Sequence, residues 1–366
     1  MTQLINLLSW QPGHSGFGSY VQRVVPGVDG LRLQLGLGGQ LELVPPEQWS
    51  PEPPARAPGL PMRFLQRYSL VQHGIDLSAL LQREGIKRAQ LEAIYSPFFD
   101  ALLCWPEVPQ LITCHDLTPL VASNSRKAWL RYRLWQPRHC RAATRLIAIS
   151  HYVANELVEF GVESDRIEVI PNGIQILRPP VLEPSSHDLV ALARHDLNKN
   201  LPALFRGIDQ LQRQWPEWNG TLRIIGRVGP QTSMVHRLHK GLPRPEQVEL
   251  ISALPHSELV AVVRASMALV SASTEEGFDY PVLEAKAEGI PTLITDIPVH
   301  REFHSESSMF FPVDDNGRSL ARLVIDLCRD PALWGQLSLR GLELARSLSV
   351  ERQVDAISAQ IRALAR

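Results

Sequence analysis

Seven residues separate Glu276 from Glu284 in the segment 273–288 (STEEGFDYPVLEAKAE), which Gly289 follows. Two carboxylates at this spacing suit a ligand rich in hydroxyls, because an ionised carboxylate only accepts hydrogen bonds. The apolar run 268–272 reads as a buried strand, and residues 291–295 read as the next one. Pro281 belongs in the first turn of a helix between them, and Gly289 suits its end. The unit is therefore strand, acidic loop, short helix, strand, a parallel β-α-β crossover. Ligands of such sheets bind at the carboxyl ends of the strands. Glu276 is expected in the loop there and Glu284 on the helix's first turn. A helix N-terminus favours anions, so the expected ligand carries phosphates as well as hydroxyls, as a nucleotide sugar does.

Other residues could complete such a site. Gly13, Gly16 and Gly18 lie in a Gly-rich stretch after one apolar run and before a helical pattern. Two readings stand for it: a plain turn, or a loop whose amides approach a phosphate. Its spacing is neither a dinucleotide fingerprint nor a Walker loop. Arg194 and Lys199 follow another strand and could bring two positive charges to one diphosphate; otherwise they are solvated surface. His115-Asp116 ends a strand, as a hydrogen-bonded structural pair or as a ligand contact. Asp314-Asp315, followed by Asn316-Gly317, reads as a turn rather than a metal pair. No Asp-x-Asp triplet occurs, which speaks against a divalent-ion mechanism, and no metal site is expected.

The elements that must position these residues fill a chain of 366 residues, long enough for two domains. Strand and helix patterns alternate through residues 4–170 and again from 188 onward. Residues 174–187, rich in proline and serine, read as the linker. Residues 45–61 form a Pro-rich loop, and 349–366 a last amphipathic helix. The expected fold class is α/β, two Rossmann-like doubly wound domains facing a cleft, at 1–175 and 188–348, with the last helix packing back onto the first. A formal charge of −1 gives no case for a nucleic-acid partner. Four scattered cysteines match no zinc or redox spacing. With no leader pattern and no long apolar run, the expected location is cytoplasmic.

The pattern resembles the glutamate motif of family 4 retaining glycosyltransferases, which have the GT-B fold. Further similarities run in the family's order: Gly16-Phe17-Gly18-Ser19-Tyr20, His115-Asp116, Ile149-Ser150, 169–174 (VIPNGI), Arg194 with Lys199-Asn200, and 224–226 (IIG). The resemblance implies a donor bound by the second domain and an acceptor bound by the first. Glu284 would hold the ribose hydroxyls and Glu276 those of the transferred sugar. Gly277 and Phe278 would offer backbone amides. Arg194 and Lys199 would neutralise the diphosphate, and Gly226 would lie beside the nucleotide. Gly16 and Gly18 would approach the phosphates. His115 would contact the sugar near its 6-hydroxyl, with Asp116 orienting His115 or the acceptor. Asp279-Tyr280 departs from the family, which more often has Gly and a small apolar residue there. Arg227 departs too, standing where small residues are commoner.

The implied activity is transfer of a hexose from a nucleoside diphosphate sugar to a hydroxyl of a glycan, lipid-linked or small-molecule acceptor. No cofactor is implied. Similarity to bacterial surface-polysaccharide mannosyltransferases places GDP-mannose ahead of UDP-sugars. A GT-B epimerase, which needs no acceptor, and a non-catalytic GT-B scaffold are the alternatives; a nicotinamide dehydrogenase has the wrong glycine spacing. Residues 126–145 interleave basic residues with Trp129, Tyr132 and Trp135. They form either a helix packing its aromatic face on the domain or a peripheral contact with an anionic membrane, at the inner face of the plasma membrane.

Overall fold

A computed structural model describes residues 2–10, 16–35, 41–50, 72–121 and 126–365. Gly13 and most of the Pro-rich stretch lie outside the described residues. The chain divides into two units. The first is Met1–Leu117, Trp129–Gly173 and Val350–Arg366; the second is Thr118–Ala128 and Ile174–Ser349.

The first unit carries a seven-stranded sheet in the order β3-β2-β1-β4-β5-β6-β7. Its strands are β1 (Thr2–Asn6), β2 (Leu31–Leu35), β3 (Leu41–Val44), β4 (Leu91–Ser96), β5 (Gln110–Cys114), β6 (Arg145–Ala148) and β7 (Ile167–Val169). All neighbours pair in parallel except β2 with β3, the antiparallel edge. The alternating stretch at 31–43 is thus a pair of strands, Leu33 opposite Leu43. The helix Gly16–Val24 begins at the first glycine of its motif, so Gly16 and Gly18 occupy its first turn rather than a loop. Ser150 Oγ accepts from the Val153 amide at 3.1 Å and caps the helix His151–Glu159.

The last helix, Val350–Leu364, belongs to this first unit, beside β4, β5 and the helix Gly16–Val24. Two glutamines pin it: Gln353 Oε1 accepts from the Gly173 amide at 2.8 Å, and Gln360 Oε1 from Arg145 at 2.9 Å.

The aromatic residues of the helix Arg126–Ala142 are unequally covered: Tyr132 and Trp135 are half-buried and Trp129 is exposed. Among its described side chains Gln136, His139 and Cys140 are buried, and Gln136 donates to the Phe99 carbonyl at 2.8 Å. Trp129, Leu130 and Leu134 stay exposed, at 43, 50 and 54%.

The second unit carries a six-stranded, wholly parallel sheet in the order β10-β9-β8-β11-β12-β13. The strands are β8 (Leu189–Leu192), β9 (Leu222–Ile225), β10 (Val248–Ile251), β11 (Ala268–Ser271), β12 (Thr292–Thr295) and β13 (Met309–Phe311). Runs such as Leu189, Val190 and Ala191 are apolar throughout because helices cover both faces of a parallel sheet. The helix Leu201–Gln214 shows the matching periodicity, burying Leu201, Leu204, Ile208 and Leu211. Strand order reverses between β8 and β11, which makes that boundary the topological switch point.

Candidate active site

Two loops meet at the carboxyl ends of β8 and β11. The first runs through Arg194 to Asn200, the second through Ala272 to Asp279. Asn198 stitches them together: its carbonyl accepts from the Thr274 amide at 2.8 Å, and its Nδ2 donates to the Glu275 carbonyl at 3.2 Å. Asn200 turns the chain in a left-handed conformation, φ 44°, into the helix Leu201–Gln214.

Lys199 crosses from one loop to the other. Its Nζ lies 2.5 Å from Glu276 Oε1 and 3.9 Å from Asp279 Oδ1. Burial alone would lower the Lys199 ammonium; Glu276 and Asp279 outweigh it and hold the group above the ordinary lysine range. Burial works to raise Asp279, but Lys199, His300 and Ser271 outweigh that and keep it a carboxylate well below the usual range. Glu276 is the member pushed up, by burial first and then by Asp279, against the pull of Lys199. A cavity of about 10 Å³ lies against Lys199, Ser271, Ser273 and Asp279, the size of a single water.

The two basic residues of the first loop are unlike. Lys199 is mostly buried and paired, whereas the Arg194 side chain is 65% exposed and 3.4 Å from Asp196. Gly226 backs the same loop: a Cβ there would fall 2.0 Å from the Ala193 carbonyl oxygen. Glycine is needed for the end of β9 to pass the end of β8. Arg227 is exposed.

Gly277 and Phe278 are buried, and the Phe278 ring packs 4.7 Å from Phe303 and 5.6 Å from Tyr280. Glu284 is half-buried on the second turn of the helix Tyr280–Ala287, not the first. The helix starts at Tyr280, with Pro281 inside its opening turn, and this moves Glu284 one turn along. Lys286, inside the same motif, serves the packing instead. Its Nζ bonds to the Ser307 carbonyl at 2.5 Å, Ser307 Oγ at 2.6 Å and Ser308 Oγ at 2.9 Å.

The Asp279 side chain is 1% exposed and meets the water-sized cavity beside Lys199. It accepts from Ser271 Oγ at 2.5 Å and from His300 Nε2 at 3.1 Å. His300 and Ser271 carried no mark in the sequence. Their role rests on folding across β11, β12 and the short helix Pro298–His304.

In the first unit, His115 follows β5. Its Nε2 lies 2.9 Å from the Pro97 carbonyl, and its ring meets Tyr20 and Phe17 edge-on at 4.5 and 5.1 Å. Gly16, Gly18 and His115 are therefore brought together by the start of the helix Gly16–Val24. Burial lowers His115 to about 4, against the Pro97 bond that works to raise it. Neutral imidazole with Nε2 donating leaves Nδ1 as an acceptor. Asp116 is half-buried beside it.

Asp315 accepts from the Gly317 amide at 3.0 Å and the Ser319 amide at 2.7 Å, closing a turn before the helix Arg318–Arg329. No group of three or more metal-ligating side chains occurs among the described residues.

The Glycosyltransferase Family 4 model matches residues 36–178, and the Glycosyl transferases group 1 model matches 186–330. The chain is 23% identical to the O-antigen chain mannosyltransferase RfbU of Salmonella typhimurium, over 56% of this chain and 57% of that one. It is 29% identical to a D-inositol 3-phosphate glycosyltransferase of Nocardia farcinica, over 52% and 47%. The chain thus spans about half the length of these curated relatives. Anabaena Alr3699/HepE, crystallised with UDP and glucose, superposes with a TM-score of 0.72 at 15% identity, covering 99% and 100% of the two chains. Sucrose-phosphate synthase from Thermosynechococcus elongatus gives 0.72 at 19% identity, covering 100% and 99%.

Proposed function

Because the chain belongs to the family 4 glycosyltransferases and has their GT-B fold, we propose that it is a retaining hexosyltransferase using a nucleoside diphosphate sugar. The observation that carries this reading is the Lys199–Glu276 pair at the switch point of the second sheet. One partner is a cation for a leaving diphosphate. The other is a carboxylate for sugar hydroxyls.

In this reading Lys199 and the exposed Arg194 meet the diphosphate, whose charge grows as the glycosidic bond breaks. Gly277 and Phe278 offer backbone amides ahead of the helix Tyr280–Ala287, where the helix dipole favours the anion. Gly226 keeps the β9 turn close to Arg194. Glu276 accepts from the transferred hexose and Glu284 from the ribose. His115, neutral at working pH, meets the hexose through its Nδ1 acceptor, beside Asp116. Gly16 and Gly18 present the first turn of their helix to the phosphates. Charge stabilisation and positioning are then the whole task, and the departing phosphate helps to deprotonate the acceptor hydroxyl on the same face. The reaction is proposed to run without a divalent ion, so a chelator should leave turnover unchanged.

Mannose from GDP-mannose is the favoured donor. Relatives named as mannosyltransferases, RfbU and WbdA, support it. UDP-glucose is the competitor, since the Anabaena neighbour was crystallised with it. The acceptor is a hydroxyl of a glycan, a lipid-linked sugar or a small molecule. The proposed location is the cytoplasm, with the helix Arg126–Ala142 as a proposed peripheral membrane contact. Among the described residues no helix is long and apolar enough to cross a membrane.

A panel of nucleotide sugars, scored by release of free nucleotide with and without acceptor, tests the reading. Acceptor-dependent release is expected. Conversion of the donor to another nucleotide sugar, with no acceptor and no free nucleotide, would instead indicate an epimerase. Calorimetric titration of GDP against UDP ranks the bases, and tighter UDP binding would sink the mannose assignment. An inverted product linkage by NMR would exclude retention.

A further inference from the structure

Asp279 stands where the family more often has glycine, and its backbone shows why glycine suits the position: φ is 62° and ψ is 66°. An L-residue is kept there against its conformational preference. The simplest structural reason would be capping, because Asp279 is the N-cap of the helix Tyr280–Ala287. Its side chain makes no capping hydrogen bond. It turns inward to Ser271, His300 and Lys199 instead.

His300 is completely buried. Its Nδ1 lies 2.8 Å from the Thr295 carbonyl and its Nε2 3.1 Å from Asp279 Oδ2. The Asp279 carboxylate only accepts, so Nε2 donates to it. The result is one hydrogen-bonded and charge-paired line, Thr295–His300–Asp279–Lys199–Glu276, running from β12 to the two loops.

We propose that Asp279 and His300 are a positioning pair for the donor site: Asp279, anchored by His300 and Ser271, is the second hold on the Lys199 ammonium that Glu276 grips. This deepens the proposed function and rests on it. Neither residue touches substrate. Lys199 is gripped between two carboxylates, so its ammonium is presented at one place rather than sampled by a flexible four-carbon stem.

The electrostatics agree with the geometry. Glu276 is faced by Lys199 from the turn 197–199 and by Asp279 and Ser273 from its own loop. Behind these stand His300, bonded to Asp279, and Asp196, which acts on Lys199. Burial and Asp279 both raise Glu276. Neutralising Asp279 therefore lets Glu276 ionise at lower pH.

The test compares the full-length protein with D279N and D279G. Asparagine tolerates the left-handed conformation and keeps the shape without the charge; glycine fits the backbone outright. H300Q is the third variant, should either of these fail to fold. Thermal melts establish folding. The Glu276 carboxyl is then titrated by ¹³C NMR in glutamate-labelled protein without ligand, with E276Q assigning the resonance. In parallel, kcat and the donor KM are measured across pH.

In D279N the Glu276 titration is expected to move to lower pH, and the acid limb of kcat/KM to move with it. kcat should fall about tenfold with the donor KM nearly unchanged, the pattern of lost positioning rather than lost binding. A purely structural aspartate would shift neither the carboxyl nor the pH profile. An unmoved Glu276 titration in the folded variants overturns the pair. Absence of turnover by the wild-type protein with every nucleotide sugar overturns the functional reading instead, and the NMR titration still decides the pair.

Discussion

Lys199 Nζ lies 2.5 Å from Glu276 Oε1, a contact between residues 77 positions apart that joins the loops of two neighbouring parallel strands. Asp279 Oδ1 stands behind it at 3.9 Å. One buried cation thus answers two buried carboxylates. Removing it takes the shared cation from both, leaving Asp279 to Ser271 and His300 and Glu276 to Ser273, and breaking such a buried pair costs about 3–5 kcal/mol.

K199M should therefore lose both turnover and stability. Turnover is expected to fall about 10²–10³-fold, the range for losing one group that stabilises developing charge. The stability gap has a pH signature. Lys199 helps hold Asp279 below its unfolded value, so that contribution is present at neutral pH, persists down to the unfolded value and is lost as pH falls from there toward the lower folded one. Urea melts of wild type and K199M should differ above the unfolded aspartate value of about 3.8 and converge only as pH falls below it. A folded K199M with full activity would remove Lys199 from the mechanism.

Gly226→Ala tests a position where a family motif has a packing cause. The added Cβ would fall 2.0 Å from the Ala193 carbonyl oxygen and 2.8 Å from the Arg194 amide nitrogen, both backbone atoms that cannot swing away. Destabilisation of at least about 1–3 kcal/mol is expected, read as a lowered thermal midpoint. The end of β8 must shift, so donor affinity should fall as well. A midpoint equal to wild type would show that the two strand ends have room to part.

The distribution of these contacts explains what the sequence could disclose. The β11–helix–β12 crossover was legible because its signals are local: an apolar run, a proline in the first turn, a terminating glycine. Glu276 and Lys199 were legible one at a time, each after its own strand. Their pairing was not, since nothing local ties position 199 to 276. His300 was invisible for the same reason, its partner Asp279 lying 21 residues away. The short helix Pro298–His304 and the three-residue β13 were missed because they hold too few residues to display a period. The helix Thr232–Lys240 was missed too, beginning directly after a Gly-Pro turn.

His115 should titrate near 4, with Nε2 as the protonated nitrogen of its neutral form. Its folded value is depressed, so the stability it brings is present above the unfolded value of about 6.5 and is lost as pH falls from there toward 4. Histidine-selective ¹H–¹⁵N spectra report the midpoint and the tautomer directly. Thermal midpoints should slope less steeply between pH 6.5 and 4 in H115N than in wild type. A midpoint at 6 or above would mean that the Pro97 bond, not burial, governs the ring.

The helix Arg126–Ala142 makes the most exposed prediction. It contains no acidic residue, and Trp129, Leu130 and Leu134 stand out from it among the exposed Arg126, Arg133, Arg138 and Arg141. Such a face pairs apolar side chains for the acyl boundary with charge for an anionic surface, each basic residue contributing about 1 kcal/mol near it. Arg138 lies 4.8 Å over the Trp135 ring, which keeps its charge at the apolar edge. Flotation with vesicles rich in an anionic lipid should capture the protein at low salt and release it at high salt, where the attraction is screened. W129S/L134S should weaken capture with little change in the melting midpoint, because both side chains are exposed. R133E/R138E should abolish it. Failure of the wild-type protein to float at low salt would leave these side chains as ordinary exposed surface.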